Sequence, residues 1–123
     1  MTTGGIGPNK RTNSSEIVDL SDPSLTCDPW PDYPIEAFGA VGGLTDDEYM
    51  IICGGVTGNQ NQTLCFTMNQ TATHEMQSMK TGSFYSAGAV FNNTLLISGG
   101  WSSTQGVFHS ALLSNCNVQA ITY

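Results

Sequence analysis

The chain has 123 residues, of which 39% are hydrophobic and 11% charged, with 14 Gly. Three Lys and Arg stand against ten Asp and Glu, a formal net charge of -7. This balance excludes a strongly disordered chain and a nucleic-acid binder, since Lys10, Arg11 and Lys80 cannot form a basic patch. No apolar run approaches the roughly 18 residues of a membrane span.

Helix signals are poor, and short β-rich runs bounded by turn residues dominate. Ser15 to Leu20 reads as a strand closed by Ser21-Asp22-Pro23, and Gly39 to Leu44 as a small-residue strand. Thr45 to Glu48 then makes a turn. Tyr49 to Cys53 is almost wholly apolar and too short for a helix, so it reads as a buried strand, ended by Gly54-Gly55. Thr63 to Met68 alternates polar and apolar residues. The same order then returns. Tyr85 to Phe91 is a small-residue strand, Asn92-Asn93 the turn, and Thr94 to Ser98 the apolar strand, ended by Gly99-Gly100. Phe108 to Leu113 is a further strand, with Val118 to Tyr123 a candidate partner.

Ile52-Cys53-Gly54-Gly55 matches Ile97-Ser98-Gly99-Gly100 at a displacement of 45 positions. Gly4-Gly5 reads as a third copy. A period of about 45 to 50 residues with about four strands per unit predicts a β-propeller array. The acids cluster early, with only Glu75 in the second half; a local acidic surface could attract cations or a basic partner, but without a block of tail length they read as solvated loop residues.

At these residues the sequence resembles the kelch repeat family. The likeness rests on the small-residue strand, turn, apolar strand and diglycine, followed by a segment such as Glu16-Ile17-Val18-Asp19 or, more loosely, Leu64 to Thr67. Met79 to Ala87 resembles the segment that opens a kelch blade. Ser83 stands where an Arg is common in the family, and His74 to Gln77 lacks the family's Trp. The resemblance implies an all-β fold: a partial kelch-type β-propeller of two to three four-stranded antiparallel blades. Residues 1–34 are then the later strands of one blade, 35–80 a complete blade, and 81–123 a partial or near-complete one. A propeller closes with about 4 to 8 blades. The expectation is therefore a fragment of a longer propeller, whose exposed strand edges invite self-association.

Four Cys are present, and Cys53 and Cys65 fall on successive strands, symmetric about a loop at Asn59. Opposed antiparallel positions bring two sulfurs within reach, so a Cys53–Cys65 disulfide is the expectation, with two buried thiols as the alternative. A Cys27–Cys116 bridge is less well supported, since it would join different blades. Sequons at Asn13, Asn61, Asn69 and Asn92 exceed the about two expected by chance, and all four fall at expected turns or loops. Even cysteines and surplus sequons point to an extracellular or cell-surface glycoprotein. The first residues lack a signal-peptide pattern, which taken alone points to the cytoplasm.

Catalytic patterns are thin. His74 and His109 have no metal-helix partners, and His109, Tyr85 and Tyr49 are too few for a copper site of the galactose oxidase kind. No G-x-S-x-G elbow occurs, Gly39 to Leu44 lacks a phosphate-loop Lys, and Thr45 to Glu48 does not continue as a calcium loop. No catalytic residue, cofactor or metal is expected. The expected function is a non-catalytic scaffold for protein–protein interaction, with contacts on loops Val56–Gln62 and Trp101–Gly106. Trp101 and Phe108 are candidate anchors, although packing is the commoner role for such rings. The alternative is a remnant of a galactose-oxidase-like propeller enzyme with its catalytic residues on other blades. A β-sandwich adhesion domain has no account of the repeated diglycine.

Overall fold

The computed structural model describes residues 2–6, 11–102, 109–114 and 117–122, with side chains from 12 to 102. The described residues are all-β, without a helix, in small antiparallel sheets. Strands β1 (Thr2–Ile6), β2 (Arg11–Val18) and β3 (Cys27–Trp30) form a three-stranded sheet. Strands β4 (Val41–Leu44) and β5 (Met50–Cys53) precede a short hairpin of β6 (Val56–Thr57) and β7 (Gln60–Asn61). Strands β8 (Cys65–Met68) and β9 (Thr73–Glu75) then complete a four-stranded sheet in the order β4-β5-β8-β9. Strands β10 (Ala87–Phe91), β11 (Thr94–Ser98), β12 (His109–Ser114) and β13 (Asn117–Thr122) repeat that arrangement in the order β10-β11-β12-β13. No sheet closes on itself among the described residues.

The apolar run of β5 is explained by burial on both faces. Ile51 and Cys53 join Cys65, Val41, Leu95 and Ile97 in one core, against the next sheet. Ile52 joins Phe66, Met68, Tyr33 and Ala37 in a second core on the opposite face. Successive strand residues point to opposite faces, so a strand between two cores has no position for a polar side chain. In β11 the pattern is one-sided: Leu95 is 0% and Ile97 2% exposed, while Leu96 between them is 42% exposed. Burying one such aliphatic side chain stabilises by about 1.5–3 kcal/mol.

The two four-stranded sheets meet along β4 and β10. Glycines make this approach possible. A Cβ on Gly88 would collide with Val41 Cγ2, and one on Gly43 with Val90 Cγ2. Each valine thus fills the hollow left by the other strand's glycine. The hairpin turns also touch, because Asp46 N donates to Asn93 Oδ1 at 2.7 Å. Asn92 and Asn93 have φ of 48° and 55°, the left-handed pair that a two-residue hairpin turn requires.

Several strands lie outside the sequence expectations. In β3, Pro29 cannot donate to a ladder, but β3 is at a sheet edge, where that loss is tolerated. The β6–β7 hairpin and β9 are short and largely polar. Gly4 and Gly5 lie inside β1, beside an irregularity in its register with β2, rather than after a strand end.

Candidate functional site

The diglycines are backbone devices. Gly54 and Gly55 have φ of 72° and 93°, and Gly99 and Gly100 have 70° and 95°. The two copies therefore take one conformation that other L-residues rarely adopt. Gly55 N donates to Ser83 O at 2.8 Å, and a Cβ on Gly54 would meet that same oxygen. The diglycine lets the segment leading into the next sheet cross at backbone distance. Within each unit a matching bridge joins the segment before the first strand to the residue after the diglycine, Phe38 with Val56 and Phe84 with Trp101.

Cys53 and Cys65 are direct cross-strand partners on β5 and β8, with Cα atoms 4.1 Å apart, and they form a disulfide. Both are buried. Cys27 is a free, exposed thiol, and Cys116 lies outside the described residues.

The sequons differ in position. Asn13 lies in β2 and Asn61 in β7, so these two are strand residues rather than loop residues. The Asn61 amide donates to Gly82 O at 3.5 Å and to Trp101 O at 3.4 Å, tying the β6–β7 hairpin to the following unit. Asn69 occupies a turn, its Oδ1 accepting from Thr71 N at 2.9 Å, Thr71 Oγ1 at 3.0 Å and Ala72 N at 2.9 Å. Asn92 sits exposed in the β10–β11 turn.

Of the expected contact loops, Val56–Gln62 is the β6–β7 hairpin, turning at Gly58. Trp101 is 56% exposed, while Phe108 and the remainder of its loop from residue 103 lie outside the described residues. Beside Trp101 the structure adds an aromatic cluster. Tyr85 is 68% exposed, with its ring 5.0 Å from that of Phe84 and 6.1 Å from that of Phe38. Its φ of 56° matches the 69° of Gly39, which stands 46 positions earlier. A tyrosine thus holds a left-handed position that a glycine fills in the preceding unit. His74 is exposed on β9, and the side chain of His109 lies outside the described region. Among the described residues no group of three or more His, Cys, Asp or Glu is placed to hold a metal ion.

A cleft of about 530 Å³ opens at the turn ends of the strands, lined by Ile17, Trp30, Leu44, Asp47, Glu48, Tyr49 and the Asn69–Thr71 turn. A smaller one of about 130 Å³ lies on the other side of Asp47 and Tyr49, against Asn93 and Met76. Sequence reading did not find the larger cleft, since its walls come from distant segments. In the core against which Trp30 packs, the buried Tyr33 hydroxyl has no hydrogen-bond partner, and desolvation pushes its pKa up. On the exposed β2–β3 turn, bonds from Ser21 lower the pKa of Asp19, and bonds from Ser24 lower that of Asp22.

No protein-family model and no curated protein matches the sequence. Among solved structures 61 chains match. One of these is the structure of YjhT, matched with a TM-score of 0.79 and 19% identity over 98% of this chain and 41% of that one. At that identity the likeness is one of fold. The fold class is therefore an all-β assembly of antiparallel sheets, and this chain spans less than half the length of that neighbour.

Proposed function

We propose that the chain is a segment of a kelch-type β-propeller acting as a non-catalytic scaffold for a protein partner. The observation that carries this reading is the repeated unit. Two four-stranded sheets have the same strand order, the same diglycine conformation after the second strand, and a face-to-face contact. On this reading residues 35–80 are one complete blade, flanked by the later strands of another in 1–34 and by a partial or near-complete one in 81–123. The disulfide fits an oxidising, extracellular setting. Rigid sheets hold the turns in fixed positions, which is what a recognition surface requires.

A peptide array probed with the oxidised chain tests this. Saturable capture of peptides recovered at unchanged mass supports the scaffold reading. Chemical conversion of captured peptides, or capture of none, counts against it.

A further inference from the structure

We propose that the cleft between β2–β3 and the β4–β5 turn binds the guanidinium group of an arginine side chain on a partner peptide. This rests on the scaffold reading and names the chemistry of its partner. The cleft offers two aromatic walls, Trp30 and Tyr49, and two carboxylates, Asp47 and Glu48. No Lys or Arg lines it. Asp28 adds a third carboxylate nearby, since it is the cross-strand partner of the lining residue Ile17 and lies on the same face of its sheet. The chain as a whole carries a net charge of -7, which favours a basic ligand at long range.

The walls select among cations. A guanidinium is planar, stacks on aromatic faces and meets a carboxylate through two parallel N–H donors. An ammonium is a hydrated point charge and uses such walls less well.

The turn that carries the carboxylates, and the Asp47 side chain itself, are held before any ligand arrives. Glu48 N donates to Thr45 O at 3.1 Å, and Tyr49 N donates to Thr45 Oγ1 at 3.0 Å. From the neighbouring sheet, Asn93 accepts from Asp46 N and donates through Nδ2 to Asp47 Oδ2 at 3.3 Å. Asp47 Oδ1 and the Glu48 carboxylate are left for a ligand. Asn93 is thus a positioning residue. Preorganisation of this kind raises affinity by reducing what must be ordered on binding.

The chain has two Trp, so Trp101→Phe leaves Trp30 as the only indole. Trp101 follows the diglycine at the end of β11, away from the turns that form the cleft. Fluorescence of this variant is titrated with acetyl-Gly-Arg-Gly-amide and with the same peptide carrying citrulline, a neutral isostere. A saturable change with the arginine peptide and at least about tenfold weaker binding of the citrulline peptide are expected. Glu48→Gln in that background weakens arginine binding about tenfold. Asn93→Gly, which keeps the left-handed turn but removes the side-chain bonds, weakens it several-fold, with circular dichroism unchanged in both variants. Equal binding of the two peptides, indifference to Asp47→Asn combined with Glu48→Gln, or no response of Trp30 overturns the assignment. If the array captures peptides while the cleft variants change nothing, this assignment fails and the scaffold reading survives. If the array captures nothing, both fall.

Discussion

Val41 on β4 fills the space directly over Gly88 on β10, where a Cβ would collide with its Cγ2. The reciprocal contact, Val90 over Gly43, locks the same two strands. These valine–glycine pairs set how closely the two four-stranded sheets stack. Gly88→Val overfills that space and is expected to cost about 1–3 kcal/mol. Urea denaturation measures the loss. Gly88→Val combined with Val41→Gly, which reverses the pair, recovers part of it if the contact is the cause.

The Cys53–Cys65 bridge closes a short loop around the β6–β7 hairpin. Crosslinks of this loop size stabilise by about 2–4 kcal/mol, largely by restricting the unfolded chain. Replacing both cysteines by Ala is expected to lower the urea midpoint accordingly. Alkylation of the folded, oxidised chain followed by mass spectrometry labels Cys27 and leaves Cys53 and Cys65 unlabelled.

Tyr85 carries a backbone cost that its glycine counterpart Gly39 does not. Removing the ring in two ways separates backbone from side chain. Tyr85→Ala and Tyr85→Gly both lose the contacts to Phe38 and Phe84, but only Gly relieves the left-handed conformation. The Gly variant is therefore expected to be the more stable by about 1 kcal/mol in denaturant titrations.

Tyr33 gives the pH dependence its sign. Its phenol is buried and its folded pKa lies above the ordinary value of 10.0. The stabilising preference for the neutral phenol is fully present below that value and is lost as pH rises above it, because the unfolded chain ionises first. Stability is expected to fall above about pH 10, and Tyr33→Phe removes part of that slope. At neutral pH the same substitution deletes a hydroxyl without a partner, so it is neutral or stabilising. For Asp19 and Asp22 the sign is opposite: their lowered pKa values place the lost stability on the acid side, as pH falls through the folded value.

Much of the central architecture was legible where one physical cause dominated. The unbroken apolar run before Gly54-Gly55 marked β5 as buried on both faces, and Asn92-Asn93 marked the hairpin turn that the two positive φ values require. The symmetric placement of Cys53 and Cys65 about a loop favoured their pairing over two buried thiols, and they are paired. Other elements left no pattern. Strand β9, Thr73–Glu75, is exposed or half-buried throughout and has no apolar face to read, and β3, with Pro29 inside it, has no strand pattern either. Gly4-Gly5 matched the diglycine in composition, yet it lies within β1. The cleft was invisible because Ile17, Trp30, Tyr49 and Asn69 meet only after three separate turns are brought together. Tyr85 hid its left-handed backbone behind an ordinary strand-forming residue.

The measurement that bears most directly on the account is a methyl–Hα nuclear Overhauser spectrum of the oxidised chain in solution. Stacked, repeating sheets predict cross-peaks from the Val41 methyls to Gly88 Hα and from the Val90 methyls to Gly43 Hα. They also predict a cross-peak network linking Leu95 and Ile97 to Ile51. Well-resolved spectra in which each sheet shows only internal cross-peaks would contradict the stacking, and with it the scaffold reading that depends on it.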